Sequence, residues 1–120
     1  MNFREFKVYQ DAKGLVVEIF QTTRKFSRDF YYLSDQANRS ALSIILNIAE
    51  GSAKGSDKDF NRYIKNSLGS AAELSAALEI AKDLKLIDEE KYATVDGKIK
   101  EIIKQLGGFS KYLSKLMIGD

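Results

Sequence analysis

The stretch Asn47-Ile48-Ala49-Glu50-Gly51-Ser52-Ala53-Lys54-Gly55-Ser56-Asp57-Lys58-Asp59-Phe60 decides between two classes of fold. Its glycines, serines and lysines have the composition of a phosphate-cradling loop, which would make the chain α/β. Such a loop carries GxxxxGK followed by Ser or Thr, and it must follow a buried strand. Neither condition is met, because the residues before it repeat their apolar positions at helical spacing. The stretch therefore reads as a hinge between two helices. Gly51 is placed to take left-handed geometry as the C-terminal cap of the first. Ser56, three positions before Asp59, caps the second in the manner of a capping box with a shorter acid. Asp57 and Asp59 already complement the positive end of that helix, so an anion is not needed there.

Working outward, four amphipathic segments appear. In the first, Phe6, Tyr9, Ala12, Val16, Ile19, Phe20, Thr23 and Phe26 recur at three- and four-residue steps, predicting a helix over about residues 4 to 26. The period breaks at Ser27 to Tyr32, and a second helix runs from about Leu33 to Glu50. The third carries Phe60, Ile64, Ser67, Ala71, Leu74, Leu78 and Ala81, ending near Leu86. The fourth opens at Asp88 and carries Tyr92, Val95, Ile99, Ile102, Leu106, Phe109, Leu113 and Leu116, the alternating 3-4 spacing of a bundle seam. That phase continues across Gly107-Gly108, which predicts one unbroken helix. Short connections make neighbouring helices antiparallel. The fold expected is all-α, an up-down-up-down four-helix bundle forming one domain over residues 1–120.

Composition narrows the chemistry. The 120 residues contain no Cys, His, Pro or Trp, which removes disulfides, imidazole or thiolate metal sites, cysteine nucleophiles and His-based triads. Lys and Arg number 19 against 17 Asp and Glu, and this excess permits an anionic partner without demanding one. No apolar run approaches the length of about 20 residues that spans a bilayer, and the first residues do not form a signal peptide. A cytoplasmic protein with no membrane partner is expected.

Two helices are apolar on more than one side. On the second, Leu42, Leu46 and Ala49 continue around from the core face of Leu33, Ala37, Ala41, Ile44, Ile45 and Ile48. On the third, Gly69, Ala72, Ala76 and Ile80 form a second seam roughly opposite the first. A bundle helix needs to bury an arc of about 100° or somewhat more, and the surplus predicts self-association. The competing explanation is an alanine-rich face kept for helix propensity, with Leu42 and Leu46 as scattered exposed residues.

Arg39, Asn47 and Glu50 share the polar arc of the second helix, and Arg62 and Glu73 lie three turns apart on the third. Paired acids in a bundle can hold two metals, but that arrangement uses Glu-x-x-His pairs and this chain has no histidine. A structural polar network fixing register at a helix or subunit interface is expected instead. No catalytic, cofactor or metal residues emerge, because no candidate nucleophile has an activating base.

The run Asn47-Ile48-Ala49-Glu50-Gly51, then Asp59-Phe60, then Ser67-Leu68-Gly69-Ser70-Ala71-Ala72-Glu73-Leu74, resembles the four-helix-bundle proteins encoded within intervening sequences of bacterial 23S ribosomal RNA genes. Phe6-Lys7-Val8-Tyr9-Gln10-Asp11-Ala12 looks like that family's start, so the resemblance covers nearly the whole chain. Family members usually have a proline just before the first run. Here Ile45-Leu46 stand instead, so the kink such a proline gives is not implied. The resemblance implies a homopentameric ring, and no enzymatic activity, cofactor or small-molecule substrate. The chain is also similar to the accessory variability proteins of diversity-generating retroelements, which implies nucleic acid or a reverse-transcriptase-like protein as partner.

In such a bundle one end gathers Arg4, Lys7, Lys54, Lys58, Lys111 and Lys115, and the other gathers Arg24, Lys25, Arg28, Lys82, Lys85 and Lys91. Either cluster, repeated around a ring, is a candidate RNA-binding surface, since phosphate contacts by cations need no sequence readout. A protein-interaction scaffold, with the lysines serving only solubility and the helix dipoles, is the other expectation.

Overall fold

Ser56 starts a long helix, as its spacing predicts. Its hydroxyl accepts the Asp59 N–H at 3.1 Å and its carbonyl accepts the Phe60 N–H at 3.0 Å. The Asp59 carboxylate does not complete the box; it stands 3.7 Å from the Arg62 guanidinium. The computed structural model describes residues 2–119, with side chains through Met117. Their order is a 3-10 turn at Phe3–Glu5, helix α1 at Lys7–Thr23, a 3-10 turn at Arg28–Phe30, then α2 at Tyr31–Ser52, α3 at Asp57–Asp83 and α4 at Glu89–Gly119. Among the described residues there is no strand. Gly107 and Gly108 lie inside α4, which continues across them.

At Gly51 the expectation of a left-handed cap fails. The helix continues to Ser52, its C-cap Ala53 is right-handed, and no described glycine has positive φ. Gly51 is needed for a different reason. A Cβ there would sit 2.6 Å from the Cβ of Tyr63 and 3.0 Å from Cδ1 of Phe60, so α2 and α3 approach through its missing side chain. The left-handed residue is Lys85, with φ 66°. Its N–H bonds the Lys82 carbonyl and the Leu86 N–H bonds the Ala81 carbonyl, both at 2.9 Å, the paired closure that ends many helices.

The core follows the predicted seams on α3 and α4. Ile64, Leu74, Leu78, Ile99, Ile102 and Leu106 are wholly buried with Ile44 and Ile48 of α2. Ser67 belongs to this stripe because its hydroxyl donates to the Ile44 carbonyl at 2.8 Å, which satisfies a polar atom that burial would otherwise penalise. On α1 the expected Ala12, Ile19 and Thr23 are buried and Tyr9 and Val16 pack against the core, but the face extends to residues the spacing did not single out. Val8, Ala12, Leu15, Ile19 and Thr22 face the core with their own 4-3-4-3 spacing, while Phe20 is 44% exposed. Overlapping stripes on one helix both fit a period of 3.6, and packing decides which of their residues are buried.

Cross-helix bonds tie the elements in pairs. Thr23 bonds Asn38, Ser43 bonds Ser70, and Glu73 accepts from Gln36 and Ser40. Ser75 bonds Asp96, and Asn61 bonds Ser110 and Ser114. Asp11 accepts from Gln105, and Glu18 from Lys91 and Lys98. Late residues of one helix thus meet early residues of the next, and α1 closes against α4. The described chain measures 51 × 21 × 20 Å. None of its helices is long and apolar enough to cross a membrane.

Candidate functional site

The five residues expected to form one polar network fall into separate local groups. Arg39 pairs with Asp35 at 2.9 Å on the surface of α2. Asn47 donates to the Ser43 carbonyl at 2.8 Å, and Glu50 accepts from the Tyr63 hydroxyl at 3.4 Å. Arg62 reaches Asp59 and lies over the Tyr63 ring, 4.9 Å from its centroid. Glu73 takes Gln36 and Ser40. Glu50 and Glu73 bond across between α2 and α3, Arg39, Asn47 and Arg62 bond within their own helices, and none of the five bonds another.

The carboxylates with the clearest electrostatic bias serve as clamps. Lys91 at 2.8 Å and Lys98 at 2.7 Å hold the Glu18 carboxyl below its ordinary pKa. The Lys7 ammonium at 2.7 Å, helped by Gln105, does the same for Asp11. The bonds from Lys91, Lys98 and Gln105 fasten α1 to α4, while Lys7–Asp11 lies within α1. In the same way the Asp96 carboxylate, 3.0 Å away, raises the Lys100 pKa.

Both basic ends also carry acids, and Glu5, Glu50, Asp57 and Asp59 lie at the end of Lys54 and Lys58. At the end holding Arg24, Lys25 and Arg28, the connections also bring Asp29, Asp83, Asp88, Glu89 and Glu90, and Lys91 is spent on Glu18. A hollow there is lined by Lys25 and Lys91 together with Glu18 and Asp88, so its charge is mixed. Lys82 stands 3.9 Å from Asp83 and over the Tyr92 ring.

At the opposite end, Asn61 is buried and ties α3 to α4 through Ser110 at 2.6 Å and Ser114 at 3.3 Å. Lys111 and Lys115 follow directly on those serines and are exposed. Lys58, Arg62 and Lys65, on the α3 side, line a surface hollow with Asn61, Asn66 and Met117. Among the described residues Lys58, Lys65, Lys104, Lys111 and Lys115 have no carboxylate within 4.0 Å, and the same holds for Arg4, Lys13, Arg24, Lys25, Arg28 and Lys85. Of the other expected cations, Arg4 lies over the Phe3 ring, Lys7 is paired with Asp11, and Lys54 is 3.9 Å from Glu50. Lys65 and Lys104 were not singled out from sequence. The signal was present in the spacings 58-62-65 and 104-111-115, each of which keeps one helix face.

The expected association faces are exposed. Leu46 is 54% and Ile80 48% accessible, and Leu42, Gly69, Ala72 and Ala76 are also on the surface. They lie on the outer sides of α2 and α3, away from the core stripe of each helix.

The family model for the 23S rRNA-intervening sequence protein matches residues 4–108. The chain belongs to that family. A solved structure described as a protein with unknown function from the S23 ribosomal protein family of Bacteroides thetaiotaomicron is 26% identical, with a TM-score of 0.83, over 87% of this chain and 98% of that one. No curated protein matches. As a 23S rRNA-intervening sequence protein, the chain has the four-helix fold, and Lys58, Arg62, Lys65, Lys111 and Lys115 are among its exposed cations on α3 and α4.

Proposed function

We propose that this 23S rRNA-intervening sequence protein is a non-enzymatic, cytoplasmic, oligomeric bundle that binds RNA or a ribonucleoprotein through the basic end built on α3 and α4. The observation that carries the reading is the hollow lined by Lys58, Arg62 and Lys65 with no carboxylate, beside the Asn61–Ser110 and Asn61–Ser114 bonds that precede the exposed Lys111 and Lys115. Rigid backing makes such cations effective, because little ordering is required when phosphates arrive. The contacts are to backbone phosphate, so the binding is independent of sequence and falls steeply with salt.

The pairing of late with early residues supports an up-down-up-down order. In that order α2 and α3 occupy adjacent corners, and their outward faces diverge by about 90°. A closed ring needs two different patches per subunit, turned by about 90° for four members and about 108° for five. The α2 face of Leu42 and Leu46 and the α3 face of Gly69, Ala72, Ala76 and Ile80 therefore fit a small ring, the homopentamer that the family resemblance implies.

Fluorescence anisotropy with a structured RNA, titrated from about 50 to 300 mM salt, tests the reading. The affinity is expected to fall with a log–log slope of about −4, and Lys58→Gln with Lys65→Gln and Lys111→Gln to flatten it by about 2 to 3. No binding at low salt by an intact oligomer overturns it. That result would favour a protein-interaction scaffold, the reading that the exposed Leu46 and Ile80 otherwise support.

A further inference from the structure

The α2–α3 connection and the last turns of α4 enclose a hollow of about 690 Å³, within the size range of small-ligand sites. Its lining combines two chemistries. Phe60, Phe109 and Tyr112 supply aromatic surface, Met117 supplies an adaptable thioether, and Lys54 and Lys58 supply positive charge against the one acid of the lining, Asp57, with Lys54 also 3.9 Å from Glu50. The aromatic floor is preformed: the Phe109 centroid lies 5.2 Å from those of both Phe6 and Phe60, and the Phe6 and Phe60 rings stack at 6.2 Å. Tyr112 is held edge-on to Phe109 at 6.4 Å with its own ring 56% exposed, and its hydroxyl has no partner among the described residues. The hollow beside Glu18 and that between Asp11 and Glu101 have no aromatic wall.

We propose that this hollow receives one unstacked nucleotide of single-stranded RNA, its base against Phe109 and Tyr112 and its phosphate toward Lys54 and Lys58. This rests on the RNA-binding reading above and narrows it from any polyanion to RNA with unpaired bases. Aromatic faces accept bases of every kind, so the pocket selects strandedness and not sequence. A base inside a duplex enters only after it leaves its stack, which disfavours paired RNA. The phosphate seat is the lysine pair and not the α3 terminus, where Asp57 and Asp59 already sit. The continuous basic surface from Lys58 to Lys65 then carries the neighbouring phosphates.

The test compares a fluorescent single-stranded oligouridylate with a blunt RNA duplex of equal charge, and follows adenosine 5′-monophosphate by amide chemical shifts. The single strand is expected to bind about tenfold more tightly than the duplex. Tyr112→Ala removes that preference, while Tyr112→Phe keeps it. The mononucleotide shifts the amides of residues 55–58 and of Tyr112 in the native chain, and leaves residues 55–58 unshifted in Tyr112→Ala. Unchanged single-strand affinity in Tyr112→Ala, or no mononucleotide shifts, overturns the pocket even if both RNAs bind. Mononucleotide shifts without binding of either RNA keep the pocket and overturn the basic face. Loss of oligomer mass in Tyr112→Ala, read by light scattering, overturns the proposal by making the hollow a subunit contact.

Discussion

Gly51 and Lys85 occupy each other's expected roles. Gly51 is helical and buried because Tyr63 leaves no room for a side chain, and Lys85 is left-handed without being glycine. Three outcomes follow for urea-unfolding midpoints. Gly51→Ala is expected to destabilise by about 1–3 kcal/mol, since the clash is with a Cβ fixed to the α3 backbone and not with a flexible side-chain end. Gly107→Ala, where nothing lies within 4 Å, is expected to stabilise by about 0.5–1 kcal/mol through helix propensity alone. At Lys85 the relief of a left-handed side-chain conformation outweighs the added freedom of the unfolded chain. Lys85→Gly is therefore expected to stabilise by about 0.5–1 kcal/mol.

At the scale of elements, α1 is the helix fastened most by charge. Its bonds to α4 run through Asp11 and Glu18, beside a core stripe that runs from Val8 to Thr23. Glu18 has a folded pKa below its ordinary 4.5, chiefly because Lys91 and then Lys98 donate to the ionised form. The sign follows from which state holds the proton more tightly. A depressed folded pKa means that the unfolded chain binds the proton first, so this contribution is full above about pH 4.5 and is lost as pH falls through the folded value. Glu18→Gln is expected to lower stability near neutral pH and to flatten the acid limb of midpoint against pH. An acid limb of unchanged steepness would show that the clamp contributes nothing.

At the scale of the molecule, the two outward apolar faces predict a head-to-tail assembly. Light scattering is expected to give a ring mass for the native chain and a monomer mass for Leu46→Glu and for Ala76→Arg. Mixing these two variants leaves one intact α2 face and one intact α3 face, which can join once but cannot close, so the mixture is expected to give a dimer. A native chain that stays monomeric at micromolar concentration sinks the assembly. The 51 Å bundle with exposed leucine would then be a monomer with scattered surface residues.

The four helices were legible because apolar spacing is local: α3 and α4 follow the residues whose 3-4 steps announced them, and Ser56 begins α3 through its own hydroxyl. The family was legible for the same reason, in runs such as Asn47 to Gly51. What only the tertiary structure decided depends on which residues meet across helices. Two overlapping stripes on α1 fit one period, and packing buried Val8, Leu15 and Thr22 beside the expected Ala12 and Ile19 while leaving Phe20 exposed. Gly51 looked like a cap until Tyr63 of α3 stood against it. The two basic ends looked alike in a list of lysines. They separate only in space, where the hollow at one end is lined by Glu18 and Asp88 with Lys25 and Lys91 and the hollow at the other by Lys58, Arg62 and Lys65 with no carboxylate, because a charge acts with every neighbour in space and the sequence names only those along the chain.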